Sequence, residues 1–145
     1  MAKRSFRTNV SKDDRLTLLA ASSGNVIFAT QTKRPFDFAP DTLTICPNRI
    51  TITYGSLFGS NERPLPIENV IGSHVSSGLF YATLFIETFG LEKPEPLRYL
   101  SKDDARLARR YTLALVECSK NKIDLSGHSL AELRDFLGQI GMVHH

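Results

Sequence analysis

The side chains that could carry catalytic or metal chemistry are scattered along this chain. His74 and His128 are isolated, and no group of His, Cys, Asp and Glu has the spacing of metal ligands. Asp103 and Asp104 are adjacent acids, but they open a predicted helix, where the helix dipole favours acids. The sequence contains no glycine-rich phosphate loop and no nucleophile elbow. It therefore predicts a protein that is not an enzyme and that uses no cofactor and no metal.

Basic residues in two predicted loops could recognise an anionic surface. Lys33 and Arg34 follow the first predicted strand, and Arg63 follows a later loop that could approach the same rim. Phosphate recognition needs several convergent cations, because one exposed cation in water contributes little. The nearby acids are Asp37, Asp41 and Glu62. These basic residues are therefore interpreted as ordinary loop residues whose charges contact water. The alternative is that they bind an anionic lipid headgroup.

Large apolar side chains occur in two predicted turns. Leu57 and Phe58 stand between Gly55 and Gly59, and Phe80 follows the turn at Gly78. Exposed apolar groups in a turn can dock into a protein partner or insert into a membrane surface. The alternative is that they fold back onto the body of the domain.

The predicted helix after Ser101 has a basic face that also contains one apolar residue. Arg106, Arg109 and Arg110 lie opposite the apolar stripe, with Leu113 among them. An apolar residue in a cationic face can mark a contact with an acidic partner or an anionic membrane surface. A solvated helix side is the alternative. Because this face has no aromatic residues that could stack on bases, nucleic acid is disfavoured as a partner.

Composition limits the class of protein. The chain has 145 residues, of which 41% are hydrophobic and 23% charged, as in one globular domain. The net charge of +3 falls short of the strongly basic face of a nucleic-acid-binding protein. Cys46 and Cys118 lie in apolar patterns and are interpreted as buried small residues, with a bridge between them left open. No apolar run approaches the roughly 18–20 residues of a membrane span. We expect a cytoplasmic protein, with the inner face of the membrane as the alternative location.

A period of two in the apolar residues predicts strands between residues 25 and 100. The clearest pair is 42–46 and 49–54, joined by a turn at Pro47-Asn48. Another strand opens at Val26-Ile27-Phe28, and the rest are predicted at 63–67, 70–76, 81–88 and 97–100. Two prolines place 63–67 at a sheet edge, and apolar groups on both faces place 81–88 in a sheet centre. We predict seven mostly antiparallel strands, with a loop over 55–61.

Two capping boxes predict helices after the strands. The first begins at Ser101, with Asp104 as its partner, and the second begins at Ser129, with Glu132 as its partner. The second helix is expected to end at Gly138 or Gly141. The first has an apolar stripe about 120° wide, formed by Leu107, Ala108, Tyr111, Ala114, Leu115 and Cys118.

Three strand segments resemble those of bacterial pleckstrin-homology-like (PH-like) domains. They read TLTICPNRITI at 42–52, LPIENVIG at 65–72 and ATLFIET at 82–88. The segment 101–125 resembles the closing helix of uncharacterised bacterial members. This resemblance covers roughly residues 25–125. It implies a mainly β, α+β fold, in which a seven-stranded antiparallel barrel or sandwich is capped by an amphipathic helix, with a short extra C-terminal helix.

The resemblance also implies an organisation and a class of function. Residues 25–125 form the PH-like domain, preceded by an N-terminal arm (1–24) and followed by a C-terminal extension (126–145). In the arm, a capping-box-like start at Ser11 and Asp14 predicts a short helix, and the alternation of 16–18 leaves a strand as the alternative. We expect a non-catalytic interaction module that acts through protein contacts, including self-association. The alternative is a peripheral membrane module that binds an anionic lipid surface. The candidate contact residues are Lys33, Arg34, Leu57, Phe58, Arg63, Arg106, Arg109, Arg110 and Leu113.

Overall fold

A computed structural model describes residues 26–33, 39–56, 59–90, 93–125 and 127–143. The predicted helix after Ser11 lies outside these described residues, and so do the candidate contact residues Arg34, Leu57 and Phe58. Within the described ranges the structure has seven strands, one short 3-10 helix and two α-helices.

Alternating apolar residues and threonines form the first sheet. Its strands are β1 (Phe28–Gln31), β2 (Thr42–Ile45), β3 (Arg49–Ser56) and β4 (Gly59–Pro66), antiparallel in the order β1-β2-β3-β4. The apolar positions of β2 and β3 are buried and the threonines between them are half-buried, because successive side chains point to opposite faces. The predicted turn at Pro47-Asn48 is confirmed, since the Cys46 N–H donates to the Arg49 carbonyl at 2.9 Å.

Strand β4 begins earlier than the sequence pattern predicts. We expected a loop over 55–61, whereas β3 and β4 pair continuously from Arg49 opposite Pro66 to Ser56 opposite Gly59. A hairpin ladder uses backbone groups, so it extends through polar residues that show no apolar alternation. The edge position is confirmed, because β4 has β3 as its one neighbour in the sheet and carries Pro64 and Pro66.

The second sheet consists of three antiparallel strands, β5 (Val70–Ser77), β6 (Ala82–Thr88) and β7 (Leu97–Leu100). The 3-10 helix Ile67–Asn69 leads into it from β4. Strand β6 is the central strand, as predicted. The two sheets are separate, so the fold is an α+β sandwich and not a closed barrel.

Helix α1 (Lys102–Lys120) closes the sandwich and begins as the capping box predicts. The Ser101 hydroxyl accepts from the Asp104 N–H at 3.2 Å. Leu115 is 1% exposed, and Tyr111 packs against the core. The buried positions span more than half of the helix circumference, since β5 and β6 as well as helix α2 (Leu130–Val143) contact this helix. They are Ala105, Ala108, Thr112, Ala114, Leu115, Val116 and Cys118.

Helix α2 packs on α1 of the same chain. Leu133 and Leu137 are buried in the common core, and the Arg134 guanidinium donates to the Ile27 carbonyl at 2.8 Å. The predicted end at Gly138 or Gly141 is wrong, because the helix continues to Val143. Ile140 packs against the core beyond Gly138, and such tertiary packing overrides a weak helix former.

Replacing Gly138 by alanine should stabilise the protein by about 0.5–1 kcal/mol. A Cβ built at Gly138 meets no atom within 4 Å, so the substitution adds helix propensity without a clash. Urea unfolding followed by circular dichroism would measure the change. Gly127→Ala is the control, because its φ of 81° is costly for alanine and this variant should be less stable. A destabilised Gly138→Ala protein would contradict the helical placement of this residue.

The two cysteines are free thiols, which answers the question of a bridge left open by the sequence. Cys118 is buried and Cys46 is half-buried. Burial raises the pKa of both thiols, and the Arg49 guanidinium opposes this shift at Cys46. Both side chains are therefore neutral at ordinary pH.

Candidate docking surface

The turn between β5 and β6 carries the two most exposed large apolar side chains of the described residues. Leu79 is 82% exposed and Phe80 is 77% exposed. The turn itself is closed by the backbone, because the Gly78 N–H donates to the Tyr81 carbonyl at 2.8 Å. The chain therefore holds both side chains at the end of a paired hairpin.

Two tyrosines continue this apolar region from β6 to β7. The rings of Tyr81 and Tyr99 meet edge to face with their centroids 5.7 Å apart, and Tyr99 is 41% exposed. Tyr99 has a φ of 66°, a left-handed conformation that is rare for a residue other than glycine. Its carbonyl accepts from the Lys33 N–H at 2.7 Å, which joins the end of β1 to β7.

We call this region the tip surface. It comprises Leu79, Phe80, Tyr81 and Tyr99, flanked by the exposed cations Lys33 and Arg98. Sequence patterns identified Phe80 and Lys33 but not the others. Tyr99 and Arg98 are both exposed because the left-handed conformation of Tyr99 interrupts the alternation of buried and exposed residues in β7. No pattern of residue types predicts such a conformation.

Three carboxylates near the tip surface in sequence are engaged by other groups, whereas Glu95, three residues before Arg98, is exposed. Asp104 accepts a hydrogen bond from the buried Thr30 hydroxyl at 2.6 Å. Asp41 accepts from the Gly55 N–H at 3.0 Å, and Asp103 lies 3.5 Å from the Arg106 guanidinium. The turn from Ser76 to Tyr81 contains no charged residue. The turn of the tip surface is therefore apolar, and its flank carries the exposed carboxylate Glu95 as well as the exposed cations Lys33 and Arg98.

A second region surrounds Arg63 and contains charges of both signs. The Tyr54 hydroxyl donates to the Glu95 carbonyl at 2.9 Å, which links β3 to the segment before β7. Burial raises the pKa of Tyr54, the carboxylates of Asp41 and Glu95 raise it further, and Arg63 opposes them. Acids therefore accompany Arg63 here, which weakens any field that would attract phosphate.

The raised pKa of Tyr54 predicts a distinct alkaline transition. Folding favours the neutral phenol, so this contribution to stability is present below the ordinary tyrosine pKa of about 10 and is lost as pH rises through the folded value. In an ultraviolet titration of the four tyrosines, Tyr54→Phe should remove the step at the highest pH. Tyr99→Phe is the control and should leave that step in place. Loss of the same step in both variants would contradict the assignment.

The residues of the predicted basic helix face differ in exposure. Arg106 is exposed and pairs with Asp103, whereas Arg109, Arg110 and Leu113 are half-buried. The Nε atom of Arg110 is buried and has no hydrogen-bond partner. Among the candidate contact residues, the structure thus places Lys33 at the tip surface, Arg63 beside Tyr54, and the other described ones along α1.

Two further observations concern metals and membranes. In the described ranges no group of three or more His, Cys, Asp and Glu side chains could hold a metal ion. Neither described helix combines the length and the apolar character needed to span a membrane.

The comparisons with known proteins concern the fold. A protein of the DUF1696 family with a pleckstrin-homology domain, from Shewanella loihica PV-4, has a similar solved structure. The two chains share 16% sequence identity with a TM-score of 0.43, and the match covers 72% of this chain and 92% of that chain. No protein-family model matches this chain. No curated protein matches it. The four-plus-three strand arrangement with its closing helix is the PH-like layout that the sequence resemblance implied.

Proposed function

We propose that this protein is a non-catalytic PH-like interaction module that binds a protein partner through the tip surface. The observation that carries the proposal is the exposure of Leu79 and Phe80 on a closed turn. A turn whose backbone is already closed loses little backbone entropy on binding, and aromatic residues are enriched among the residues that dominate the energetics of protein interfaces. The neighbouring Tyr81 and Tyr99 rings would extend the contact.

The size of the tip surface favours a partner with a pocket over self-association. A stable interface buries about 800 Å² on each partner. Large aromatic side chains bury roughly 150–250 Å² each, and those of the tip surface are partly covered already. Two copies meeting tip to tip would therefore bury too little area. If Leu79 and Phe80 insert into a pocket of a partner protein, these two side chains bury more of their surface than in a tip-to-tip contact.

An anionic membrane surface is the alternative target. The described cations of the tip surface are Lys33 and Arg98, each worth about 1 kcal/mol at such a surface. A single acyl chain inserted into a bilayer gives only marginal membrane binding. Stable anchoring of a protein therefore requires two membrane-binding elements. The tip surface therefore favours a protein partner over lipid.

The predicted contacts outside the tip surface are a separate proposal. Arg34, Leu57 and Phe58 would form a second contact together with Arg63 of β4. Helix α1 would form a third contact through Arg106, Arg109, Arg110 and Leu113. Charge reversal at Arg106, which is exposed, would test the helix contact without disturbing the core.

Photocrosslinking followed by reconstitution tests the main proposal. A benzophenone residue at position 80, in the full chain expressed in its host, should form an adduct with a different protein. At position 89 it should not, although Phe89 is also 68% exposed. Phe89 lies at the opposite end of β6 from Phe80, which makes it a matched control. Adducts of equal yield at both positions, or adducts only with lipid or with the chain itself, would refute the proposal.

Affinity measurements with the purified partner give the quantitative test. The double variant Leu79→Ser/Phe80→Ser should weaken binding at least about 30-fold, the effect of losing an interface hot spot. The control Ile71→Ser/Phe89→Ser removes another exposed apolar pair and should change the affinity less than about threefold. Circular dichroism of both variants would confirm that they fold. Equal losses in the two variants would contradict binding through the tip.

A further inference from the structure

We infer that an extended segment of the protein partner pairs with the free edge of β5, directly beside the tip surface. This inference rests on the proposed function and deepens it, since it specifies the conformation of the bound segment. The backbone hydrogen bonds of β5 and the protection of the other described strand edges support it.

The hydrogen-bond pattern of β5 directs some of its backbone groups away from β6, its one neighbour in the sheet. Facing residues of an antiparallel pair alternate between hydrogen-bonded and non-hydrogen-bonded pairs. The Gly78 N–H donates to the Tyr81 carbonyl at 2.8 Å, so the register also bonds Ser76 to β6. Val75 and Ser77 alternate with these bonded residues, and they therefore direct their N–H and C=O groups outward.

The outward backbone groups of Val75 and Ser77 are open to a partner. Ser77 is exposed and Val75 is half-buried. Within the described ranges, no hydrogen bond joins these groups to another part of the chain. Ser73 also faces this edge, but it is buried, and helix α1 packs against β5. The open edge is therefore short and ends at the tip surface.

The other described strand edges are protected against pairing. Strand β4 carries Pro64 and Pro66, which have no N–H to donate. The Arg134 guanidinium binds the Ile27 carbonyl just before β1, and the backbone hydrogen bond described above joins the end of β1 to β7. Strand β5 contains no proline, Asp, Glu, Lys or Arg, the residues that keep an edge from pairing. Among the described edges, β5 is thus the one suited to receive a further strand.

The open edge fits an extended segment better than a second copy of the chain. A stable interface between two domains buries about 800 Å² on each partner, whereas the open edge runs only from Val75 to Ser77. An extended segment can use a short edge, because its main chain bonds to the strand while its side chains occupy neighbouring sites. Leu79 and Phe80 follow this edge in the same hairpin. Apolar side chains of the segment would therefore contact them.

Peptides selected from a displayed random library on the purified full chain provide the probe. Counter-selection on the Leu79→Ser/Phe80→Ser variant removes peptides that do not need the tip surface. N-methylation along a remaining peptide should weaken binding at least about tenfold wherever the peptide N–H faces β5, and less than about threefold at the alternate positions. Binding through side chains alone would not give this alternation.

The same peptides should slow amide hydrogen exchange of Val75 and Ser77 at least about tenfold. The amides of His74 and Ser76 are the control in the same strand, since β6 protects them with or without peptide. Ser77→Pro removes an outward N–H and should weaken peptide binding at least about tenfold, whereas Ser77→Ala keeps this N–H and should not. Circular dichroism would confirm that both variants fold, and the exchange measurement needs no variant.

The outcomes separate this inference from the proposed function. Peptides that need the tip surface, show no alternation on N-methylation and tolerate Ser77→Pro would overturn the inference and leave the proposed function standing. Recovery of no peptide that needs the tip surface would count against both. Slow exchange of the Val75 and Ser77 amides in the free chain would also overturn the inference, and a dimer in light scattering would then assign the edge to a second copy.

Discussion

Replacing Leu115 by alanine should lower the free energy of unfolding by about 2–5 kcal/mol, a large part of the stability of a domain of this size. Leu115 is 1% exposed, in the stripe of α1 that closes the sandwich. It belongs to the same core as Ile50 and Ile52 of β3 and Leu84 of β6. The substitution would leave a cavity that the surrounding strands and helix cannot fully close. The loss of stability should therefore exceed the transfer free energy of the removed methyl groups.

Leu113→Ala on the same helix is the control for this prediction. Leu113 is half-buried, and the substitution removes the same atoms from the same helix. We expect this variant to lose less than about half as much stability, because less apolar area leaves the core. Urea unfolding followed by circular dichroism measures both variants. Equal losses would show that the Leu115 side of α1 does not close the core as described.

Gly55→Ala should destabilise the protein by about 2–4 kcal/mol, although it adds a single methyl group. A Cβ at this position would lie 2.3 Å from the Ala39 carbonyl oxygen and 2.7 Å from that of Pro40. These are backbone atoms, so the segment before β2 would have to move. The movement would also stretch the hydrogen bond from the Gly55 N–H to Asp41.

Gly72→Ala provides the matched comparison in a strand. Its Cβ would meet only the Glu87 carboxylate, at 3.9 Å, which is ordinary contact. We therefore expect a change within about 0.5 kcal/mol, the usual range for a substitution that disturbs no special feature. Thermal or urea unfolding of the two variants distinguishes them. If Gly55→Ala were as stable as Gly72→Ala, the close approach of residues 39–40 to β3 would be wrong.

Much of the candidate site depends on features that have no sequence signature. Phe80 and Lys33 were identified from their positions after a glycine turn and after a strand. Tyr99 was not, because its exposure follows from a left-handed backbone conformation that no residue pattern predicts. The engagement of Asp41 and Asp104 also escaped prediction. Their partners Gly55 and Thr30 are distant in sequence, and such pairs are set by the packing of whole elements.

Local residue patterns determined the strand and helix types of this protein. The alternation of 42–54, the capping boxes at Ser101 and Ser129 and the prolines of β4 act over a few residues, so they can be interpreted without coordinates. Tertiary structure alone decided the full β3–β4 ladder, the continuation of α2 beyond Gly138 and the tip surface. Backbone pairing, burial against distant residues and the juxtaposition of Lys33 with Tyr99 require the folded chain, because each depends on contacts that sequence neighbours do not make.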